Sequence, residues 1–408
     1  MRKVILAAIQ LDQDDAVFEQ ALQECERLCE ACGYEVCSRC VQKSRSMDKH
    51  SGFRSGKLEE LKALCEAMEA DFVVFLNNLS VSMSRAVEAA CGCEVIDRTT
   101  LILDIFSLRA QTREAKLQTE LARLEYSLPR LVSKEEGSER QRGGGVNNRG
   151  AGESRGAVLR RNVEHNIQDI KKELKQLKTH QELHKSAREG GLRKVALVGY
   201  TNAGKSSLMN ELLKRNHKED KQVLQKDMLF ATLDTSVRHI THKGRSFLLY
   251  DTVGFVSDLP HELVEAFRST LDACREADLL VHVQDVSNPL MEAQRQITID
   301  TLKQIGADEV ERLDVWNKVD LVEEYEGIGI SCLNGSGIEE LLDEIVRRLY
   351  PAQISGHYLI PYEKLGLLEG IRPRVELQKI EESDEGIVFA ISGMEEDLGR
   401  LNEYRMER

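Results

Sequence analysis

Short apolar runs alternate with helical patterns over the first hundred residues. The helical patterns lie near 14–31, 57–68 and 81–90, and the apolar runs are Val4–Ile9, Val36–Val41, Phe72–Leu76 and Val95–Ile96. Such alternation is typical of a parallel sheet covered by helices. It predicts an N-terminal α/β domain over residues 1–100. No glycine-rich fingerprint follows these strands, so the composition of this domain indicates no nucleotide site.

Two apolar stripes follow, each with successive spacings of four and three residues. They are Leu117, Leu121, Leu124, Leu128 and Leu131, and then Val163, Ile167, Ile170, Leu174 and Leu177. This spacing predicts an antiparallel helical pair with a coiled-coil seam, within a helical arm over residues 101–190. Pro129 is predicted to end or kink the first helix. The alternative is that each stripe packs on a neighbouring domain.

A third block, residues 191–350, opens with the apolar run Val195–Val198 and the sequence G-x-x-x-x-G-K-S over Gly199–Ser206. A strand, a glycine turn and a helix from about Ser206 make a phosphate-binding loop, because backbone N–H groups and the helix N-terminus attract anions. Lys205 is predicted to reach the β- and γ-phosphates, and the Ser206 hydroxyl to bind Mg²⁺. The alternative is a glycine-rich turn that matches by chance.

The sequence N-K-x-D over Asn317–Asp320 ends a later predicted strand. A carboxylate at Asp320 can accept hydrogen bonds from the ring N–H and the exocyclic amine of guanine, a donor pair that adenine lacks. Asn317 is predicted to contact the purine edge. The stem of Lys318 is predicted to cover the base and brace the phosphate loop. The turn after Ile330 would offer a backbone N–H to the guanine oxygen.

Between these motifs, the predicted strand Phe247–Tyr250 leads into D-x-x-G over Asp251–Gly254. Asp251 is predicted to hold Mg²⁺ through water, and the Gly254 N–H to sense the γ-phosphate. Thr232 is preferred over Thr235 as the threonine that completes the Mg²⁺ shell. The catalytic set is therefore Lys205, Thr232 and Gly254, and the metal set is Ser206, Thr232 and Asp251.

These elements predict a GTPase domain with a doubly wound sheet, in which nucleotide binds at the carboxyl ends of the strands. The predicted nucleotide contacts are Gly199, Tyr200, Thr201, Asn202, Ala203, Gly204, Lys205, Ser206, Ser207, Phe230, Ala231, Thr232, Leu233, Asp234, Asp251, Thr252, Val253, Gly254, Asn317, Lys318, Val319, Asp320, Ser331, Cys332 and Leu333. Residues 351–408 are predicted to form a small α+β appendage with two strands, near 374–377 and 386–391, and a helical end.

A basic, glycine-rich segment, residues 139–161, lies between the two predicted arm helices. Its arginines are Arg140, Arg142, Arg149, Arg155, Arg160 and Arg161. Arginine binds phosphate in a fork and stacks on bases, so a basic loop at the tip of an arm is suited to a narrow, phosphate-lined RNA cavity. A disordered, solvated linker is the alternative.

The wording of these motifs resembles the HflX family of ribosome-associated GTPases. Within the nucleotide site, the resemblance depends on the sequences GYTNAGKS, LFATLDTSVR, DTVGF and NKVD. Outside that site, it depends on residues 98–106, 113–118, 149–153 and 360–362. The resemblance implies GTP and GDP as ligands, Mg²⁺ as cofactor, the large ribosomal subunit as partner, and action on stalled or idle ribosomes, including subunit separation. The chain departs from the family pattern at Asn148, at Ala151, over 154–157 and at Cys332.

Phe255 occupies the position directly after D-x-x-G, where many GTPases place a glutamine that orients water. Phenylalanine cannot polarise water, so slow unassisted hydrolysis is predicted. The bound ribosome would supply the missing group, or a K⁺ ion would bridge the phosphates. Asn202 stands where K⁺-dependent GTPases carry an ion-binding asparagine; its alternative role is a hydrogen bond within the loop.

Composition adds limits. The chain has 408 residues and 41% hydrophobic content, so several domains are expected. Its net charge of −13 argues against a DNA partner and against a general role as a nucleic-acid coat. No apolar run reaches the length of a membrane span, and the start of the chain lacks a signal pattern, so a cytoplasmic protein is expected. The units Cys29–Cys32 and Cys37–Cys40 suggest zinc, or else small buried thiols, since Cys37 and Cys40 on one strand would face opposite ways.

The preferred function is a GTPase that acts on the large ribosomal subunit. One alternative is a ribosome-assembly or RNA-processing GTPase. Another is a signalling switch unrelated to the ribosome, whose helical pair recruits a protein. A metabolic kinase with a phosphate loop is disfavoured by N-K-x-D, which favours guanine over adenine.

Overall fold

The computed structural model describes residues 2–141, 155–189, 191–216, 236–256, 268–351, 354–372 and 374–406. It divides into two compact units. The first is built mainly from Met1–Gln181 and the second mainly from Glu182–Lys226, Thr235–Ser257 and Ser269–Arg408. Within the described ranges, no helix is both long and apolar enough to cross a membrane.

The first unit contains a four-stranded parallel sheet with strand order β2-β1-β3-β4. Its elements are β1 (Arg2–Gln10), α1 (Asp15–Ala31), β2 (Tyr34–Lys43), α2 (Ser55–Met68), β3 (Phe72–Phe75), α3 (Val81–Cys91) and β4 (Glu94–Asp97). The central strand β1 is buried from Val4 to Gln10, as expected for a strand covered by helices on both faces. Asp14 caps α1 and Ser80 caps α3 through side-chain oxygens that accept backbone N–H bonds. The predicted N-terminal α/β layer is confirmed.

The cysteines of this unit pack into its interior. Cys25 and Cys29 lie on the buried face of α1, and the hydrogen bond with Cys25, together with burial, raises the pKa of the Cys29 thiol. Cys37 and Cys40 both pack against the same hydrophobic cluster. The prediction that they face opposite ways is wrong, because the β1–β2 pairing skips one residue between Val36 and Ser38, and this bulge reverses the alternation. Among the described residues, no group of three potential ligands is placed to hold a metal.

Three helices follow β4 along the chain: α4 (Arg98–Arg109), α5 (Arg113–Gln141) and α6 (Arg155–Glu189). The two predicted apolar stripes pack on each other, which confirms the helical pair over packing on a neighbouring domain. The cluster contains Leu117, Leu121, Val163, Ile167 and Ile170, with Leu124, Leu128, Leu174 and Leu177 packed against it. Pro129 does not end α5, because the helix continues twelve residues further to Gln141. Leu128, the preceding residue on the apolar stripe, stays packed against the cluster shared with α6, which offsets the cost of an internal proline.

The second unit is built on a six-stranded sheet with strand order β10-β9-β8-β5-β7-β6. Its strands are β5 (Arg193–Val198), β6 (Ser236–His242), β7 (Arg245–Asp251), β8 (Leu279–Asp285), β9 (Arg312–Asn317) and β10 (Ile328–Ile330). Only β6, on β7, pairs antiparallel among these strands. The helices are α7 (Lys205–Arg215), α8 (Arg268–Arg275), α9 (Met291–Ile305) and α10 (Ile338–Leu349). The carboxyl ends of the parallel strands meet at one edge, which is where ligands bind in sheets of this kind.

A small antiparallel sheet follows in the same unit, with strand order β11-β13-β12. Its elements are β11 (Ile354–Ile360), α11 (Gly366–Ile371), β12 (Glu376–Ser383), β13 (Gly386–Gly393), α12 (Glu395–Leu398) and a 3-10 helix (Gly399–Tyr404). Tyr358, Ile391 and Leu401 are part of its core. The predicted α+β appendage is confirmed, although it has three strands where the sequence indicates two.

Candidate nucleotide site

The phosphate loop connects β5 to α7, and its shape requires glycine at two positions. Gly199 has a φ of 145°, and a Cβ there would lie 2.2 Å from the Val283 carbonyl oxygen. Gly204 has a φ of 98°, and a Cβ there would lie 2.0 Å from the Asn317 amide nitrogen. Asn202 also has a positive φ, 63°, which asparagine tolerates better than most residues. Glycine at these two positions therefore lets the loop lie directly against the Val283 carbonyl and the Asn317 side chain.

Lys205 begins α7 and is buried, with 6% of its surface exposed. Its amine donates hydrogen bonds of 2.9 Å to the Gly199 carbonyl and 2.8 Å to the Tyr200 carbonyl. Burial lowers the pKa of the Lys205 amine to about 8, although nearby Asp251 acts in the opposite direction. The loop thus holds a cationic donor away from water, in the position where a phosphate would meet it.

A hydroxyl and a carboxylate lie together at the start of α7. The Ser206 hydroxyl donates a 2.8 Å hydrogen bond to the Asp251 carboxylate, which is fully buried at the end of β7. Next to it, the Thr252 hydroxyl donates to the Leu197 carbonyl at 2.5 Å and fixes the turn to β5. Hydroxyl and carboxylate oxygens are the ligands that Mg²⁺ prefers, so this pair fits a magnesium site.

The D-x-x-G turn lies directly against the phosphate loop. The Phe255 N–H donates to the Gly199 carbonyl at 3.1 Å, and the Thr201 N–H donates to the Phe255 carbonyl at 2.8 Å. A Cβ on Gly254 would lie 2.9 Å from the Thr201 Cα and 3.0 Å from the Lys205 amine, so only glycine fits there. The Phe255 side chain is 2% exposed and lies in the protein interior. This position therefore offers no polar side chain to a water molecule.

Asn317, at the end of β9, joins the phosphate loop to the loop after β10. Its amide nitrogen donates to the Ala203 carbonyl at 2.8 Å, and its amide oxygen accepts from the Cys332 N–H at 3.4 Å. Asn317 therefore braces the phosphate loop. The predicted part of the Lys318 stem in bracing this loop stays a prediction. The Asn317 contact with the purine edge stays a prediction.

Lys318 and Asp320 continue from β9 into a short 3-10 helix (Val319–Leu321). Lys318 has a φ of 65°, and its amine donates to the Asp285 carboxylate at 2.6 Å. Asp285 ends β8, the neighbouring strand, and sequence reasoning did not identify it. Only the parallel pairing of β8 with β9 places Asp285 opposite Asn317 and beside Lys318. Asp320 is exposed at the same edge, where a base would reach its carboxylate.

The loop after β10 contains Ser331, Cys332 and Leu333. Ser331 is fully buried, and its hydroxyl accepts the Leu333 N–H at 3.3 Å. Burial raises the pKa of the Cys332 thiol to about 12, so this thiol stays neutral. Leu333 is 87% exposed, which leaves an apolar side chain at the rim of the candidate base pocket.

Several predicted residues lie outside the described part of the chain. They are Phe230, Ala231, Thr232, Leu233, Asp234 and Thr235 of the nucleotide site and Arg142 and Arg149 of the basic segment. Arg140 and Arg155 lie at helix ends whose side chains are not described. Arg160 and Arg161 are exposed on α6, and Arg160 bonds Glu164 at 2.8 Å.

Three protein-family models match the chain in sequence order. They are described as "GTP-binding GTPase N-terminal" over residues 19–107, "GTP-binding GTPase Middle Region" over 109–188 and "50S ribosome-binding GTPase" over 194–318. The third covers β5 to β9 and so includes the phosphate loop, the D-x-x-G turn and Asn317.

Curated relatives match over most of the chain. "GTPase HflX" of Caldanaerobacter subterraneus subsp. tengcongensis is 39% identical over 394 residues, which is 95% of this chain and 89% of the relative. "GTPase HflX" of Alkalihalophilus pseudofirmus is 41% identical and covers 78% of this chain and 74% of its own length. A solved GTP-binding protein from Sulfolobus solfataricus in complex with GDP is 25% identical and covers 85% of this chain and 98% of its own, with a TM-score of 0.45. The order of the matched regions and the identity over nearly the whole length establish that this chain belongs to the HflX family and is a GTPase.

Proposed function

We propose that Lys205 and Asp320 recognise one GTP molecule, the amine at the phosphates and the carboxylate at the guanine. The observation that carries this proposal is the Asn317 side chain, which bonds Ala203 of the phosphate loop and Cys332 of the base loop. One amide thereby sets the separation of the two loops. The predicted Gly254 contact with the γ-phosphate is consistent with its packing against Lys205.

Magnesium would be held by Ser206 and Asp251, with Thr232 as the predicted third residue. The Ser206–Asp251 hydrogen bond supports this choice, because it places two oxygen ligands at the N-terminus of α7, where the phosphates would lie. When bound, Mg²⁺ neutralises charge on the phosphate oxygens. The chain's own part is to hold the carboxylate buried and the hydroxyl oriented.

Hydrolysis by the isolated chain is proposed to be slow. Phe255 is buried, and its backbone is bonded to Gly199 and Thr201, so it cannot take the role of a water-orienting glutamine. The missing group would come from the ribosome or from a K⁺ ion beside Asn202. Either source adds positive charge or a hydrogen-bond donor where negative charge develops on the phosphates.

The partner is proposed to be the large ribosomal subunit, in agreement with the description of the matched nucleotide-binding family as 50S ribosome-binding. The basic segment 139–161, which begins in the last residues of α5 and ends in the first turns of α6, would contact ribosomal RNA through its arginines. Family membership further supports action on stalled or idle ribosomes, including separation of the subunits. GTP binding would favour the ribosome-bound state, and hydrolysis would favour release.

Co-sedimentation tests the partner. The chain is mixed with 70S, 50S and 30S particles in the presence of a non-hydrolysable GTP analogue or GDP, and bound RNA is identified. We expect recovery of large-subunit RNA with the analogue and much less with GDP. The Asp320→Ala variant, which would bind guanine nucleotide weakly, serves as the control and should lose the nucleotide dependence. Equal recovery of RNA with both nucleotides would contradict the proposed cycle.

Light scattering of 70S particles tests subunit separation directly. Addition of the chain with GTP should lower the scattering as 70S particles divide, and buffer with GTP alone should not. The sedimentation experiment is repeated with precursor particles added, and their preferential recovery would favour the ribosome-assembly alternative.

A further inference from the structure

Arg215 ends α7, the helix whose first residue is Lys205, and it contacts the loop at the base end of the site. Its Nη2 donates a 2.6 Å hydrogen bond to the Gly335 carbonyl. Two carboxylates hold the guanidinium in place: Glu211, one turn earlier on α7, at 3.3 Å, and Glu339 of α10, also at 3.3 Å. The arginine thus joins the phosphate-binding helix, the base loop and α10.

The loop that Arg215 holds is closed by its own hydrogen bonds. The Gly335 N–H donates to the Ser331 carbonyl at 2.8 Å, and the Ser331 N–H donates to the Ser336 carbonyl at 3.0 Å. Gly335 has a φ of 78°, and a Cβ there would lie 2.7 Å from Nη2 of Arg215. The guanidinium is therefore packed closely against the turn, and this position cannot accept a larger residue without moving the arginine.

We propose that Arg215 is a positioning residue for guanine: it fixes the loop Ser331–Gly335 so that a backbone N–H of this loop meets the guanine oxygen. The proposal rests on the proposed function, in which Cys332 lies beside the base. In this proposal Arg215 acts on the loop from the end of α7 and does not touch the nucleotide. Its guanidinium acts through Gly335, which is hydrogen-bonded to Ser331, the residue next to Cys332.

The physical reason is preorganisation. A loop of five residues that contains one serine and one glycine has many conformations, and ordering it on binding reduces affinity. A charge-assisted bond to the Gly335 carbonyl removes that cost before guanine arrives, because the two carboxylates already orient the guanidinium. Loss of one such bond is expected to weaken guanine nucleotide binding about tenfold.

Calorimetry with two ligands tests the proposal. GDP and 6-thioguanosine diphosphate are titrated into wild type, Arg215→Ala and Arg215→Lys. The thio analogue keeps both donors for Asp320 but replaces the guanine oxygen by sulfur, a weak hydrogen-bond acceptor. We expect Arg215→Ala to weaken GDP binding about tenfold and binding of the thio analogue less than about twofold. Arg215→Lys should recover part of the GDP affinity.

Lys214→Ala is the matched control, since Lys214 is the neighbouring cation on α7 and pairs with the same Glu211. It should bind both ligands as wild type does. Equal weakening of both ligands by Arg215→Ala would overturn the proposal, because it would indicate a change in the phosphate end. Unchanged GDP affinity in Arg215→Ala would overturn it as well.

Glu339→Gln gives a second measurement if Arg215→Ala does not fold. This variant leaves the arginine in place but weakens the ion pair that orients it, so it should lower GDP affinity by a smaller factor. Failure of the wild-type chain to bind GDP would instead contradict the proposed function.

Discussion

At the scale of single residues, the nucleotide site depends on groups whose chemistry is changed by burial. Lys205 shows this most clearly, because its amine is enclosed by the phosphate loop and bonded to two carbonyls. A buried ammonium gains little from water, so a phosphate that approaches it gains a strong partner. Two further residues matter at this scale. Asn202 has a polar side chain at the phosphate loop, whereas Phe255 has no polar group that would orient a water molecule.

The lowered pKa of Lys205 predicts proton uptake on nucleotide binding. Burial places this pKa at about 8, and the negative oxygens of a bound phosphate would raise it. Below pH 8 the amine is protonated in both states, so affinity is independent of this group. Above pH 8 the protein must take up a proton to bind, and GDP affinity should fall with rising pH, by up to about tenfold per unit.

Calorimetry in two buffers of different ionisation enthalpy measures this uptake at pH 7.0 and pH 8.7. Uptake should be near zero at the lower pH and approach one proton at the higher. Lys214→Ala is the control, because it removes an exposed amine and should leave the proton uptake unchanged. Absence of uptake at pH 8.7 would show that the Lys205 amine keeps its proton in the free protein.

Asn202 predicts a dependence of hydrolysis on the monovalent cation. If a K⁺ ion beside this side chain supplies the missing positive charge, GTP turnover in KCl should exceed turnover in NaCl by about tenfold or more. Asn202→Ala should remove the difference and keep GDP affinity within about threefold, since the loop glycines remain. Phosphate release by purified chain at equal ionic strength is the measurement. Equal rates in the two salts would leave the ribosome as the only proposed source of the missing group.

At the scale of elements, β7 connects the nucleotide site to the small C-terminal sheet. Asp251 ends this strand at the site, and Arg245 begins it at the opposite end. The Arg245 guanidinium is 2% exposed and donates to the carbonyls of Arg374 and Ser392, the latter at 2.8 Å. It also lies 5.3 Å from the Tyr350 ring centroid. Burial lowers the pKa of Arg245, because it removes the guanidinium from water.

Arg245→Ala is expected to destabilise the second unit strongly. The substitution leaves two buried carbonyls without their donor and opens a cavity under Tyr350, so the free energy of unfolding should fall by about 3 kcal/mol. Arg347→Ala is the control, because Arg347 is an exposed arginine that pairs with Glu344 on the same helix, and its loss should cost less than about 1 kcal/mol. Urea denaturation followed by the single tryptophan, Trp316 on β9, reports on this unit. Similar losses in the two variants would show that Arg245 is not a principal link between the sheets.

At the scale of the whole molecule, the chain combines a GTPase unit with a unit that contains the helical pair and the parallel N-terminal sheet. The described residues of the candidate nucleotide site lie in the second unit, whereas the basic segment 139–161 belongs to the first. The division into domains at residues 100, 190 and 350 remains a prediction. The proposed ribosome cycle requires the two units to work together.

The arginines of the basic segment are predicted to set the salt dependence of ribosome binding. Affinity falls as salt rises, and each phosphate contact that is lost should make this slope of log affinity against log salt shallower by about one. The double variant Arg149→Ala, Arg155→Ala should therefore have a slope that is shallower by about two. GTP affinity should not change, because neither residue belongs to the nucleotide site. Lys171→Ala, on the body of α6 and paired with Glu125, is the control. An unchanged slope in the double variant would favour the view that this segment is only a linker.

Local chemistry in the sequence was sufficient to predict the phosphate loop, the D-x-x-G turn, N-K-x-D, the alternating N-terminal elements and the helical pair. Glycine spacing and apolar periodicity act over a few residues, so they can be read without knowing the fold. The tertiary structure alone decided which distant residues support them. Asp285 holds Lys318 only because β8 and β9 are neighbours, Arg215 reaches Gly335 only because α7 ends beside the base loop, and a bulge at Cys37 reverses an alternation that the sequence implies. These contacts arise from strand pairing and helix packing between residues far apart in the chain, so local sequence patterns do not predict them.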